Sequence, residues 1–321
     1  MIGRRAGLAL AFAAGWAARA AAQAPAHIQA KIGWLSVSEH PFVQDFRDRL
    51  RELGFVEGKN LVIEYRYAQG NAALLPGLVE ELVAANVALI VASGSTAVEA
   101  AAAASRNLPV VFVTSDPIVT GQTLNIARPG GFVTGVSTMS VEIAAKKVAL
   151  LRDAVPKLAR LGLVNDGSPG GGRQCEGMIA AAQHLGLESK VFTMDEPAAF
   201  APGFEAIAAQ GWQAVAAVSS PLLTASARAI AGLTVKLRLP ALFDTPAFVR
   251  AGALMSYGPD LQAVFRRQAD MTARIIRGAK PADVPVEQAA AFVFAFNQAT
   301  AKALGASLSM PVMASVNELI E

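Results

Sequence analysis

The sequence predicts an α/β protein with two doubly wound, mainly parallel sheets. Three observations support this fold class. Short apolar runs alternate with helix-like segments, most runs end in small polar residues, and the whole pattern occurs twice, at 31–137 and 159–257. Strands that alternate with helices form βαβ units, in which the strands are parallel and the crossovers right-handed. Two such sets predict two α/β lobes of similar size with a cleft between them.

The expected strands are short apolar runs bounded by polar or turn-forming residues. They lie at 31–37, 61–67, 88–92, 110–113, 159–164, 190–194, 214–218, 240–243, 253–257 and 291–296. The expected helices fill the stretches between them, at 42–54, 72–86, 96–106, 141–154, 171–186, 200–210, 222–237 and 260–278. Gly54 and Gly186 each follow a leucine at a predicted helix end, a position where glycine favours termination.

Composition and charge limit the classes to which this chain can belong. Apolar residues form 53% of the 321 residues, enough to bury a sizeable core, and 28 basic residues are interspersed with 25 acidic ones. Because no Lys/Arg cluster stands out, we expect no nucleic-acid partner. The single cysteine, Cys175, cannot form an internal disulfide, so we expect a packed, unreactive thiol.

Residues 1–24 have the pattern of a secretory signal peptide. An arginine pair precedes an apolar stretch at 6–18, and small residues follow at 20–24. This order predicts cleavage after Ala22 or Ala24 and export across the cytoplasmic membrane, with a buried N-terminal helix as the alternative. Because no cysteine lies near the cleavage site, we expect a periplasmic protein without a lipid anchor.

Small polar residues at the ends of the expected strands are the candidate ligand-binding residues. In an open parallel sheet, ligands bind at the carboxyl ends of the strands. Hydroxyls, amides and single carboxylates placed there can hold a small polar molecule, whereas catalysis needs a nucleophile and a base within reach of each other. The candidates from this argument are Ser36, Ser95, Thr96, Ser115, Asp116, Asn165, Ser219 and Asp244.

Two kinds of ligand group suit these candidates. Ser95 and Thr96 begin an alanine-rich predicted helix, whose free N–H groups and hydroxyls can hold a carboxylate or phosphate. The alternative is that Ser95 is only a helix N-cap. Asp116 and Asp244 each stand within two residues of a proline, and they can pair with a ligand ammonium group or merely form Asx turns.

Motifs for catalysis, metal binding and cofactor binding are weak or missing in the sequence. No G-x-S-x-G motif occurs, and His27, His40 and His184 show no metal-ligand spacing. The glycine run at 170–172 lacks the spacing of a phosphate-binding or dinucleotide-binding loop, and we interpret it as a flexible loop at the cleft edge. We therefore expect no catalytic residue, no metal site and no cofactor.

Several longer strings resemble the signatures of one family. They lie at 53–66 (LGFVEGKNLVIEYR), 127–135 (ARPGGFVTG), 254–260 (LMSYGPD), 278–288 (GAKPADVPVEQ) and 301–305 (AKALG). On these strings, the chain resembles the periplasmic substrate-binding proteins of ABC transporters of the tryptophan/tyrosine-binding type. It departs from the family pattern at Phe132, where the family has Asn, and at 289–292, where the family has Pro-Thr-Lys-Phe.

The resemblance implies a type I periplasmic binding protein fold, in which two lobes close about a hinge. The first lobe would comprise 31–139 and 259–283, and the second would comprise 140–258 and 284–321. In this family the ligand lies between the lobes. The expected aromatic residues at the cleft are Trp34, Phe42 and Tyr257.

The resemblance also implies where a ligand lies and what the protein does. A ligand carboxylate is expected at Ser95 and Thr96, and its amino group near Asp116 or Asp244. The expected function is capture of an amino-acid-like or other carboxylate solute by a monomer, which presents it to an ABC permease in the inner membrane. Two alternatives stay open: a ligand-sensing module for a membrane signalling partner, and an enzyme on the same fold.

Overall fold

The computed structural model describes residues 30–104, 107–117 and 125–321, and in them the chain forms two sheets covered by helices. The first sheet holds six strands and the second seven. This architecture confirms the predicted α/β class with two lobes. The predicted signal peptide at 1–24 lies outside the described residues.

The strands alternate with helices along most of the chain. They are β1 Ala30–Ser36, β2 Leu61–Tyr67, β3 Ile90–Ser93, β4 Val110–Thr114, β5 Val133–Ser137, β6 Arg160–Asn165, β7 Glu188–Thr193, β8 Ala214–Ala217, β9 Ala241–Phe243, β10 Met255–Pro259, β11 Glu287–Gln288, β12 Phe292–Asn297 and β13 Glu318–Ile320. The first sheet has the order β11-β5-β4-β3-β1-β2, and the second has the order β13-β12-β10-β9-β8-β6-β7. The pairs are parallel, apart from the antiparallel pair of β10 with β12.

Helices pack on both faces of each sheet. They are α1 Val43–Glu52, α2 Leu75–Ala84, α3 Ser95–Ala104, α4 Ala144–Ala154, α5 Pro169–His184, α6 Phe200–Ala209, α7 Pro221–Ala225, α8 Ala227–Lys236, α9 Pro246–Arg250, α10 Leu261–Ile276, α11 Gln298–Leu304 and α12 Met310–Met313. In the first lobe, α1 packs against α10, and α2 packs against α3.

The near-continuous apolar strands follow from burial on both faces. Successive side chains of a strand point to opposite faces, so a strand covered on both sides needs apolar residues throughout. In β1, Trp34 joins a core with Phe46 and Phe265, whereas its neighbour Leu35 joins the core that contains Phe112. The apolar residues of β1 are therefore shared between two cores of the first lobe, one on each face of the sheet.

The second lobe has one extended core around β6, β8 and β9. Phe243 and Phe248 stack there with ring centroids 4.1 Å apart. Cys175 of α5 is buried in this core, and burial raises the pKa of its thiol to about 12. The expectation of a packed, unreactive thiol agrees with this environment, because the thiolate is the reactive form.

The chain segment at 284–289 lies with the first lobe, not with the second lobe where the sequence division places it. Val284 and Ala289 are buried in the first-lobe core, and Glu287 and Gln288 pair with Val136 and Ser137 of β5. The chain returns to the second sheet only at β12. A two-residue edge strand is too short to produce a periodic signal, which is why the sequence pattern does not reveal it.

Candidate functional site

A cavity of about 520 Å³ lies between the two lobes. Residues at and after the ends of β1 to β5, with Leu261 and Phe265 of α10, form its first-lobe wall, and residues that follow β6 to β9 form its second-lobe wall. The cavity therefore lies at the carboxyl ends of both sheets, as expected for open parallel sheets.

Five of the eight candidates at predicted strand ends line this cavity. They are Ser95, Thr96 and Ser115 from the first lobe, and Ser219 and Asp244 from the second. All five follow the end of a strand and face the cavity. Their contact with a ligand stays a prediction.

The other three, Ser36, Asp116 and Asn165, are not among the residues that line the cavity, and neither is the aromatic candidate Tyr257. Ser36 is still inside β1 and fully buried, and Asn165 directs a buried Oδ1 towards the start of α5. Tyr257 stacks on Phe292 with centroids 6.1 Å apart, so its ring packs within the second sheet. These three side chains are committed to packing inside a lobe.

The aromatic rings that line the cavity are not the ones expected from the sequence. Trp34 is fully buried between Phe46 and Phe265, and Phe42 stacks on Phe265 with centroids 5.9 Å apart. The rings that do line the cavity are His40 and Phe265, with centroids 4.5 Å apart. Trp34 and Phe42 therefore lie behind the aromatic wall and support it.

Sequence reasoning missed both rings of this wall. His40 lies only four residues beyond the end of β1, so a wider window at that strand end would have included it. Phe265 is on α10, far along the chain from the strand ends, and its apolar helical pattern predicts only a core position.

Three hydroxyl groups meet on the first-lobe wall. Ser95 Oγ lies 3.1 Å from Thr114 Oγ1 and 3.3 Å from Ser115 Oγ. β3 and β4 are neighbouring parallel strands, with Ser93 opposite Val113, so the residues that follow them are brought together. Ser95 and Thr96 also begin α3, where unpaired helical N–H groups favour an anion. This wall can hold a carboxylate.

The second-lobe wall presents a buried carboxylate. Asp244 follows β9 and accepts a hydrogen bond of 2.7 Å from Ser219 Oγ. The Ser219 backbone N–H in turn donates to Gln174 Oε1 at 2.7 Å, and Gln174 Nε2 donates to the Ser219 carbonyl at 3.3 Å. Asp244 is therefore held in one orientation by a chain of hydrogen bonds that reaches α5.

The cavity carries more negative than positive charge. Asp166, Asp195, Glu196 and Asp244 line it, whereas no lysine or arginine does so within the part of the chain that the structure describes.

Burial lowers the pKa of His40 to about 3, so its imidazole is neutral at physiological pH. The backbone N–H of Phe42 donates a hydrogen bond of 3.4 Å to His40 Nδ1, so the ring hydrogen of the neutral imidazole is on Nε2.

The glycine run at 170–172 forms the first turn of α5 and not the flexible loop that the sequence suggests. Ser168 caps this helix by accepting a hydrogen bond of 3.0 Å from the Gly171 N–H.

The two lobes contact each other closely around the cavity. A Cβ at Gly94 in the first lobe would lie 2.8 Å from Pro221 Cγ in the second. Such contacts place the lobes in a closed arrangement.

Among residues 30–104, 107–117 and 125–321, no group of three His, Cys, Asp or Glu side chains could hold a metal ion. Over the same ranges, no helix is both long and apolar enough to cross a bilayer. The expectation that the protein binds no metal or cofactor stays a prediction.

Two parallel-sheet lobes around a polar cleft define a solute-binding protein of the type I periplasmic class. The family model for ABC transporter substrate binding proteins matches residues 36–320. The chain belongs to this family of solute-binding components of ABC transporters.

Individual relatives are distant in sequence but similar along most of the chain. A conserved domain protein of Vibrio cholerae has 25% identity and a TM-score of 0.83, over 91% of this chain and 99% of that one. An ABC domain of Streptococcus pneumoniae in complex with L-Trp has 24% identity and a TM-score of 0.81, with the same coverage. The tyrosine-binding protein of Clostridioides difficile (strain R20291) is 21% identical over 86% of this chain and 81% of its own length.

Proposed function

We propose that this protein captures an amino-acid-like solute outside the cytoplasmic membrane and presents it to an ABC permease, with aromatic amino acids as the first candidates. One observation carries the proposal. The cleft has hydroxyls and a helix start on one lobe, a buried carboxylate on the other, and two rings beside them. These three features match the carboxylate, the ammonium and the side chain of such a solute.

The carboxylate of the solute is proposed to lie at Ser95 and Thr96. Hydroxyl donors and the N-terminus of the ten-residue helix α3 both favour an anion there. Since no lysine or arginine side chain lines the cavity in the described residues, the anion depends on these neutral donors.

The ammonium group is proposed to face Asp244, and the solute side chain to lie against His40 and Phe265. A carboxylate that is already fixed by Ser219 loses little freedom when it accepts from an ammonium group. The apolar ring faces suit a planar side chain, because aromatic pairs prefer offset or edge contacts at the spacings seen here. A cavity of about 520 Å³ has the size of a typical small-molecule site.

The names of two relatives support the aromatic assignment. One is called a tyrosine-binding protein, and the other is described in complex with L-Trp. At 21% and 24% identity, these names indicate which solutes to test first.

Binding is proposed to act through closure of the lobes. A solute that contacts both walls binds the closed form better than the open form, and it shifts the population towards the closed form by that difference in affinity. The permease would then recognise the closed form.

We infer that residues 1–24 direct export, and that the mature protein acts in the periplasm as a monomer without a nucleic-acid partner. We infer no catalytic step, because a histidine with a pKa of about 3 is a poor proton acceptor near neutral pH.

Calorimetry and thermal unfolding with a matched set of compounds test this proposal. L-Tryptophan and L-tyrosine should bind, whereas tryptamine, which lacks the carboxylate, and indole-3-propionate, which lacks the amino group, should bind at least tenfold more weakly. At a hundredfold excess over Kd, the bound solute should stabilise the fold by about 2.7 kcal/mol. If a sugar such as galactose gives the only stabilisation, the amino-acid assignment is wrong.

A further inference from the structure

A lysine is buried beneath the second-lobe wall of the cavity, near the strand ends that the buried carboxylate follows. We propose that Lys147 is the buried counter-ion that favours the charged form of Asp244, and that it thereby sets the preference of the site for solutes with an amino group. This inference deepens the proposed function and rests on it for the identity of the ligand group. The electrostatic part concerns the empty protein and can be tested without a solute.

The first observation is the burial of Lys147. The side chain on α4 is only 1% exposed, and its Nζ donates to the Ala217 carbonyl at 3.1 Å. Lysines are almost never fully buried unless a partner compensates their charge. A single carbonyl oxygen does not neutralise an ammonium group, so the charged form of this lysine needs negative charge from another group.

The second observation is the position of Asp244 relative to that lysine. Ala217 ends β8, and β8 pairs with β9, the strand that Asp244 follows. Ser219, two residues beyond Ala217, donates to Asp244 Oδ2. Lys147 and Asp244 therefore approach the ends of the same two strands, the lysine from the α4 side and the carboxylate from the cavity side.

The groups that act on each member identify them as partners. Burial lowers the pKa of Lys147, and the charge of Asp244 and the Cys175 thiol raise it. Since burial keeps that thiol protonated, Asp244 is the one full negative charge among these groups. Asp166, Asp195 and Glu196 also face the cavity, but none of them is among the groups that shift Lys147.

The pKa of Asp244 is raised overall, because burial outweighs the groups that favour its charged form. Burial raises the pKa of this carboxyl, and four groups lower it: Lys147, the Ser219 hydroxyl, and the backbone N–H groups of Asp244 and Thr245. Lys147 is the only one of the four that carries a full charge. Because burial already outweighs these four groups, removal of the lysine charge would raise the pKa of Asp244 further, and a protonated carboxyl group attracts an ammonium group far less strongly.

The consequence for recognition is selectivity between amino and non-amino solutes. An ionised, buried and oriented carboxylate rejects a ligand that leaves it unpaired, which discriminates more strongly than a difference in apolar contact. Lys147 acts through Asp244 and does not line the cavity, so it is a positioning residue.

The first experiment measures the empty mature protein. The carboxyl carbon of Asp244 is titrated by NMR in the wild type, in Lys147→Met and in Lys146→Met, a control at the exposed neighbour on α4. Lys147→Met should raise the pKa of Asp244 by at least one unit, and Lys146→Met should leave it unchanged. An unchanged titration in Lys147→Met overturns the inference.

Folding of the variants gives a second readout. If Lys147→Met does not fold, the double variant Lys147→Met with Asp244→Asn should fold, because it leaves no unpaired buried charge. Failure of both to fold would mean that Lys147 has only a packing role, and the inference would be wrong.

The last experiment links the pair to the ligand. The ratio of affinities for L-tryptophan and indole-3-propionate should fall at least tenfold in Lys147→Met and in Asp244→Asn, and no further in the double variant. Additive losses would contradict a shared mechanism. If the wild type binds neither compound, the proposed solute is wrong, while the NMR titration still decides the role of Lys147.

Discussion

Gly170 of the second lobe lies directly against Ser95 of the first. A Cβ on Gly170 would stand 2.1 Å from Ser95 Oγ and 2.4 Å from Ser115 Oγ, distances at which atoms overlap. The first turn of α5 therefore approaches the hydroxyl cluster with its bare backbone. The closed arrangement of the lobes depends on the absence of a side chain at this position.

Gly170→Ala should keep the cleft from closing while leaving each lobe folded. Alanine in a helix is intrinsically more favourable than glycine by about 0.5–1 kcal/mol, so the stability of the empty protein should not fall. Solute affinity should fall at least tenfold. In the presence of solute, small-angle scattering should show a larger radius of gyration for this variant than for the wild type. The control is Gly172→Ala on the same helix turn, where an added Cβ meets nothing within 4 Å. Equal affinities for the two variants would show that closure does not need Gly170.

Ser95→Ala combined with Thr96→Ala should weaken solute binding without unfolding the protein. Hydrogen bonds to a charged group contribute about 1.5–3 kcal/mol each, so a loss of about tenfold or more is expected. Ser307→Ala, an exposed serine outside the cavity, serves as the control. Calorimetry that finds unchanged affinity in the double variant would exclude the start of α3 from the binding site.

His40 should make the fold less stable in mild acid. The unfolded chain takes up a proton on this histidine near pH 6.5, whereas burial lowers the pKa in the folded protein to about 3, so protonation favours unfolding. Between about pH 6.5 and pH 3, this group alone should remove up to about 1.4 kcal/mol of stability per pH unit, and it should add no slope above that window.

Denaturant unfolding of His40→Asn at several pH values tests this dependence. Asparagine can still accept a hydrogen bond through Oδ1, and it does not titrate. The variant should lose less stability than the wild type between pH 7.5 and pH 4.5, whatever its stability at neutral pH. His184→Asn, a change at an exposed histidine, should keep the wild-type slope. The same slope in all three proteins would rule out a buried neutral His40.

The exported protein should begin at Gln23 or Pro25. Only the small residues at 20–24 follow an apolar stretch of signal-peptide length, so a signal peptidase should cut after Ala22 or Ala24. N-terminal sequencing of a periplasmic extract checks this. An intact Met1 on protein confined to the cytoplasm would contradict export and the transport role with it.

The sequence predicts the strands and the polar residues at their ends better than it predicts the walls of the cleft. Buried parallel strands are apolar throughout and end in polar residues, so the positions of Ser95, Ser115, Ser219 and Asp244 follow from local pattern alone. His40 and Phe265 come from different elements, and only the packing of α10 beside the end of β1 brings them together.

The predictions for Tyr257 and for the glycine run are wrong because both depend on packing between distant parts of the chain. Tyr257 ends in an interior position because β10 has an antiparallel partner, β12, whose Phe292 covers its ring. The glycine run at 170–172 is helical because Ser168 and Pro169 supply a strong helix start, and the glycines allow a close approach that a loop interpretation does not anticipate. Both outcomes depend on neighbours that are remote in sequence.

The burial of Cys175 makes this protein a convenient scaffold for an optical biosensor. Its thiol has a pKa of about 12, so maleimide dyes should react with it very slowly at neutral pH. A new cysteine at Asn71 or Glu196, exposed residues on opposite rims of the cavity, could then be labelled selectively without first replacing the native one. An environment-sensitive fluorophore there would report closure of the cleft directly, and one labelled protein could be screened against a whole library of metabolites.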